Sequence, residues 1–243
     1  MKIVIAPDSI QYTGFVQSIP AQFDKSGTVI FKRRNEIRVF DVDGIALNVK
    51  RFKVPGLFNR MMYSFFRLSK AQRSYEYALR LIAKGINTPP PIAYILIKRN
   101  GLIHDSYYIS HQVDYNRNMY EFGRGGISGR EHILAELAIF TARMHESGVL
   151  HRDYSPGNIL FKETDDAVEF CIVDINRLQF MKTPVSSGCA NFARLWGQQP
   201  LFEFVAKRYA KERKADAALC IELVLKAKNA FWERYTRKHP LPF

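Results

Sequence analysis

The chain alternates apolar and polar residues in its first half and shifts to a helical period further on. From Gly27 the run Thr28-Val29-Ile30-Phe31, the basic stretch Lys32-Arg33-Arg34-Asn35-Glu36 and the run Ile37-Arg38-Val39-Phe40-Asp41-Val42 predict a hairpin whose turn holds Glu36. Asp43-Gly44 is a two-residue hairpin turn that leads into a third strand, Ile45 to Phe52. Before these strands, Met1 to Asp24 shows little periodicity and reads as an irregular leader with a short helix near Val16. Ser69 to Lys84 carries Tyr75, Ala78, Leu79 and Ile82 at helical spacing, with Gly85 as its cap and Asn87-Thr88-Pro89-Pro90-Pro91 as a rigid connector. Ile92 to Lys98 and Ser106 to Val113 then form a second hairpin around Asn100-Gly101.

After Val113-Asp114-Tyr115, which reads as a hinge, the pattern becomes mainly helical. Asn116 to Gly129 is a glycine-rich loop. His132 to Glu146 is a helix with Leu134, Leu137, Ala138, Thr141 and Met144 inward, and Asn191 to His239 is helical and rich in Lys and Arg. The class is therefore α+β with two lobes: residues 1–113, antiparallel strands with one main helix, and residues 114–243, mostly helices.

Between those helices lies the stretch with the most chemistry. His151-Arg152-Asp153-Tyr154-Ser155-Pro156-Gly157-Asn158 is followed by an apolar run, and a second apolar run, Phe170 to Val173, ends on Asp174. Asp, Ser-Pro-Gly and Asn are common in turns, but the complete string resembles the H-R-D-x-x-x-x-N loop and metal-binding aspartate of the protein-kinase-like fold. In that pattern Asp153 accepts the proton of an acceptor hydroxyl, and Asn158 and Asp174 ligate magnesium. An oxygen-only donor set without His or Cys suits that hard cation. Asn48-Val49-Lys50 stands where such kinases carry V-A-I-K, making Lys50 the lysine that grips the phosphates, with Glu76 in the following helix as its ion-pair partner. Val113 in the hinge offers backbone groups to adenine.

Two further stretches narrow the resemblance. Lys70 to Leu79, followed by Gly85-Ile86-Asn87-Thr88-Pro89-Pro90-Pro91, is similar to the helix and connector of the lipopolysaccharide core kinases of the Kdo/WaaP group, as is Val173-Asp174-Ile175-Asn176-Arg177. The resemblance covers roughly Gly27 to Trp196. It implies a protein-kinase-like two-lobed fold and ATP/Mg2+-dependent transfer to a Kdo or heptose hydroxyl of the lipopolysaccharide inner core, at the cytoplasmic face of the inner membrane. The chain also departs from the kinase pattern. Lys32-Arg33-Arg34-Asn35 replaces the glycines of the first hairpin, leaving Arg33 or Arg34 to supply charge. Asn176 replaces the glycine of the metal turn, where Asn tolerates a left-handed backbone. Ser155 replaces a lysine near the γ-phosphate, for which Arg177 is a partial substitute. The short segment after Asp174 lacks an A-P-E signature and argues against the alternative of a protein kinase. A non-catalytic nucleotide-binding protein is the other alternative, and magnesium-dependent turnover separates it from both enzymes.

A formal charge of +13 and a pI near 9.7 point to anionic partners. No RNP, helix-turn-helix or zinc pattern accompanies the charge, which disfavours nucleic acid. From Arg51 to Arg73 six cations and no acidic residue are interleaved with Leu57, Phe58, Met61, Met62, Tyr63, Phe65 and Phe66. Two readings stand there: an interfacial helix against an anionic membrane surface, or Phe58, Met62 and Phe66 packing on the small lobe. The apolar start is too short for a signal peptide, and no run is long enough to span a bilayer. Three cysteines without a C-x-x-C pair suggest reduced thiols in a cytoplasmic protein.

Overall fold

The computed structural model describes residues 1–165 and 167–240. The chain divides into two units, Met1–Asp114 and a second from Tyr115 onward. In the first, strands β1 (Lys2–Ile5), β2 (Thr28–Lys32), β3 (Glu36–Val42), β4 (Ile45–Arg51), β5 (Pro91–Arg99) and β6 (Leu102–His111) form one antiparallel sheet in the order β1-β5-β6-β4-β3-β2. Its two tight turns follow their residues: Asp43 and Gly44 at φ 55° and 79°, and Asn100 and Gly101 at φ 50° and 76°, take the left-handed backbone that a right-twisted hairpin needs.

Two helices cover opposite faces of this sheet. α1 (Thr13–Gln22) buries Val16 and Ile19, which join Phe23 against Phe40, Leu47, Ile95 and Ile109. α3 (Lys70–Ile82) starts on a Ser69 cap, whose hydroxyl accepts from the Gln72 amide at 3.1 Å, and packs Ala71 and Tyr75 on Tyr94, Leu96 and Tyr108. β5 is thus covered on both faces, which is why Ile92 to Leu96 reads as an unbroken apolar run.

The structure corrects four local expectations. The leader is not irregular at its start: β1 pairs with β5, Lys2 opposite Leu96, because β5 would otherwise leave a buried apolar strand with an unpaired edge. The inward face of α3 is rotated from the expected stripe. It holds Ala71, Ser74, Tyr75, Ala78 and Leu81, while Leu79 and Ile82 are exposed. Glu36 lies in β3, not in a turn. It is buried and held by Arg38 at 2.7 Å, Arg51 at 2.9 Å and Lys32 at 3.7 Å. Burial opposes its ionisation, yet the bonds from Arg38 and Arg51 outweigh that and keep the carboxyl below its usual range. The reading in which Phe58 and Phe66 pack inward also fails. A separate helix, α2 (Leu57–Phe65), leaves Phe58 70% exposed, and Phe66 just beyond it is 74% exposed.

In the second unit β7 (Arg117–Asn118) and a short 3-10 turn, Met119–Phe122, occupy the stretch expected to be loop. α4 (Glu131–Glu146) buries Leu134, Leu137, Ala138, Thr141 and Met144, matching the sequence period. β8 (Val149–His151) pairs with β11 (Leu178–Phe180), and β9 (Ile159–Glu163) lies between β10 (Val168–Ile172) and β7. Helices α5 (Val185–Asn191), α6 (Gln199–Glu212) and α7 (Ala217–Thr236) complete the unit. Cys171, Cys189 and Cys220 are free and buried. Burial pushes the thiols of Cys171 and Cys189 up to about 12 and raises that of Cys220.

Candidate active site

The chain turns sharply between β8 and β9, and the turn is closed by its own polar groups. The Ser155 amide donates to the Asp153 carbonyl at 2.8 Å, the Asn158 amide to the Ser155 carbonyl at 2.9 Å, and the Asn158 side-chain Nδ2 to the Asp153 carbonyl at 2.8 Å. With Nδ2 committed as donor, the amide oxygen of Asn158 is the atom able to ligate a cation. The Val173 amide donates to the Asn158 carbonyl at 3.0 Å and brings the end of β10 against the turn. Asp153, Asn158 and Asp174 are therefore brought together within one unit.

His151 supports this turn from below. It is fully buried, and its Nδ1 accepts from the Asp153 amide at 3.1 Å, so the proton sits on Nε2, which donates to the Val173 carbonyl at 3.0 Å. Burial lowers its pKa and keeps the ring neutral, as that pair of bonds requires. Tyr154, also fully buried, shares a hydrogen bond with Thr141 at 2.8 Å, and Thr141 donates to the Leu137 carbonyl at 2.7 Å, pinning the loop to α4.

The turn at Asp174 differs from expectation in its backbone. The left-handed residue is Asp174 itself, at φ 54° and ψ 43°, and Ile175–Arg177 form one 3-10 turn. Asn176 contributes its side chain instead: it is buried and donates from Nδ2 to Asp174 Oδ1 at 2.6 Å. Asn158 and Asp174 offer oxygen donors alone, which fits a magnesium ion completed by phosphate and water. Among the described residues no cluster of three or more His, Cys, Asp or Glu side chains is arranged for a metal.

Two arginines meet Asp153. Arg194, from the 3-10 turn after α5, reaches Oδ1 at 2.7 Å, and Arg177 reaches Oδ2 at 3.5 Å. Arg194 is braced by the face of Phe231, 5.2 Å away. Behind the loop runs a buried relay. Arg213 donates to the Tyr209 hydroxyl, which meets His145 Nδ1 at 2.9 Å. His145 Nε2 meets Asn191 Oδ1 at 3.1 Å, and Asn191 Nδ2 donates to the His151 carbonyl at 2.9 Å. Since Asn191 donates through its nitrogen, its oxygen accepts, so His145 is protonated at Nε2 and accepts at Nδ1.

The remaining expected residues belong to the first unit. Lys50 lies in β4 opposite Ile37 and Tyr108, with its ammonium 5.3 Å from the Phe52 ring. Glu76, in α3, accepts from Gln72 at 2.8 Å. Val113 follows β6, and its carbonyl accepts from the Gln112 side chain at 3.2 Å. Arg194, Asn191 and His145 were invisible to sequence reasoning, because 41 residues separate Arg194 from Asp153 and no spacing rule links them.

The lipopolysaccharide kinase (Kdo/WaaP) family model matches residues 32–211, about three quarters of the chain. The chain belongs to this family. It is a lipopolysaccharide kinase, a phosphotransferase acting on a sugar hydroxyl, and its family implies use of ATP. A solved structure of WaaP in complex with acyl carrier protein shares its fold, with a TM-score of 0.63 and 18% identity over 94% of the kinase and 99% of that chain. No curated protein matches the sequence. Among the described residues of the kinase, no helix is long and apolar enough to cross a membrane.

Proposed function

We propose that this kinase transfers the γ-phosphoryl group of ATP to a Kdo or heptose hydroxyl of the lipopolysaccharide inner core, with Asp153 as the base. The observation that carries the reading is the turn itself: Asp153 is fixed by backbone bonds and by Arg194 beside the oxygen donors of Asn158 and Asp174. Phosphoryl transfer asks little covalent chemistry of a protein and much positioning. Asp153 orients the acceptor hydroxyl and takes its proton, with one carboxylate oxygen held by Arg194. Asn158 and Asp174 hold Mg2+, which neutralises charge on the phosphates when bound. Lys50 grips those phosphates, Glu76 steadies Lys50, and Val113 offers its backbone to adenine. The acceptor is a lipid-anchored sugar, so the protein works as a peripheral protein on the inner face of the inner membrane. The complex of the similar WaaP makes acyl carrier protein a second candidate partner.

The test is transfer of label from ATP to purified inner-core lipopolysaccharide by wild type and Asp153→Ala. Label on the glycolipid should fall by at least about a hundredfold in the variant, the size expected for loss of a positioned base. Near-wild-type turnover by Asp153→Ala removes that residue from its role. Label appearing on protein but not on glycolipid supports a protein kinase instead.

A further inference from the structure

α2 is held to its own unit by one polar edge. Arg60 donates from Nε to the Ile103 carbonyl at 2.9 Å, and the Ser64 hydroxyl accepts from the Ile103 amide at 2.8 Å. These residues are four apart and share a side of the helix. The adjoining face is apolar and open. Leu57, Phe58, Met61 and Phe65 are 70, 70, 45 and 64% exposed, and Phe66 and Leu68 just beyond are 74 and 42% exposed. At 100° per residue, positions 57, 61, 65 and 58 fall on one arc of about 100°, with Ser64 about 20° and Arg60 about 60° beyond its Leu57 edge. Six large apolar side chains in twelve residues form a patch that a protein alone in water does not favour.

Along the sequence, the charge beside that patch is of one sign. Lys53, Arg60, Arg67, Lys70 and Arg73 flank it, and the sequence has no acidic residue from Arg51 to Arg73. Lys53 and Arg67 are exposed. An apolar face bordered by cations complements an anionic lipid surface, where rings and aliphatic groups enter the acyl boundary and the cations meet phosphate headgroups. A soluble acidic protein would match the cations, but not six exposed apolar side chains presented by α2 and the three residues after it.

We infer that α2 and the residues to Leu68 form the docking face by which this kinase sits on an anionic bilayer. The inference rests on the proposed glycolipid acceptor for its purpose and on the exposed face alone for its existence. Docking confines the enzyme to the surface that carries its acceptor. It exchanges no group and needs no cofactor.

The experiment uses the full chain with two vesicle preparations, phosphatidylglycerol mixed with phosphatidylethanolamine, and phosphatidylcholine alone. Flotation should recover wild type with the anionic vesicles, at least tenfold more than with phosphatidylcholine, and recovery should fall in high salt. Phe58→Ser with Phe66→Ser should lower recovery at least tenfold at an unchanged melting temperature, both residues being mostly exposed. Arg67→Glu, also exposed, should lower it severalfold on anionic vesicles alone. Transfer to a deacylated, water-soluble core acceptor should be unchanged in all these variants, while transfer to vesicle-borne glycolipid falls. Absence of vesicle binding by wild type overturns the inference, as does unchanged binding by the double serine variant. Capture of acyl carrier protein, or dimerisation, in place of vesicle binding and lost in that variant, overturns it in favour of a protein occupant. Vesicle binding without turnover on either acceptor would leave docking intact and refute the proposed inner-core acceptor instead.

Discussion

His145 is the group through which acid should loosen the second unit. It is 1% exposed, and burial lowers its imidazole from 6.5 to about 4. Its neutral form alone fits the relay, because Nε2 donates to Asn191 and Nδ1 accepts from Tyr209. A second ring proton would face the Tyr209 hydroxyl, and the Arg213 guanidinium on that hydroxyl adds like charge. The folded-state value lies below the unfolded one, so the neutral ring's contribution is complete above about 6.5 and is lost as the pH falls towards 4. The whole interval is worth about 3 kcal/mol, and about 2 kcal/mol of it is lost between pH 7 and pH 5. The assay is urea unfolding of wild type and His145→Gln at both pH values. Glutamine retains a donor and an acceptor but does not titrate. Whatever its starting stability, the variant should lose about 2 kcal/mol less than wild type over that interval. His151 is also buried neutral and adds to the acid loss of both proteins, so the difference between them isolates His145. Parallel pH dependences would refute the reasoning.

Other outcomes follow from the same geometry. Arg194→Ala removes the bond that orients Asp153 Oδ1, and kcat should fall about ten- to a hundredfold with little change in the Km for ATP, checked by steady-state kinetics. Asp174→Asn keeps a side chain that tolerates the left-handed backbone at φ 54° but removes the charge; calorimetry should show magnesium-nucleotide affinity down by about tenfold or more. Gly188→Ala would drive a Cβ into the Tyr209 hydroxyl and place it 2.9 Å from His145 Nδ1, so thermal unfolding should show a loss of about 1–3 kcal/mol.

Much of the candidate site's local geometry was legible because its spacing is local. Asp153 and Asn158 close one turn through hydrogen bonds within five residues, and the apolar strand before Asp174 carries the third group to them. Hairpins announced by Asp43-Gly44 and Asn100-Gly101 were legible for the same reason, since the dipeptide dictates the backbone. What the pattern hid was settled at long range. β1 is a strand only because β5 needs a neighbour, a fact written some ninety residues away. Glu36 read as a turn residue because a carboxylate seldom starts a buried strand, and three cations from β2, β3 and β4 overrule that habit. The rotation of α3 came from small residues, Ala71 and Ser74, which a search for large apolar side chains passes over. Arg194 and Asn191 arrive at the Asp153 turn by tertiary folding alone.

With its three thiols buried, the native protein should be nearly silent to alkylating reagents at neutral pH, since the thiolate is the reacting species and burial disfavours it at Cys171, Cys189 and Cys220. A single cysteine introduced on an exposed position, such as Asn59→Cys in α2, would therefore take a fluorophore alone, with every native cysteine left in place. The folded chain is thus ready for site-specific optical probes as it stands, and reagent uptake by the unlabelled wild type becomes a clock for the opening of its second unit.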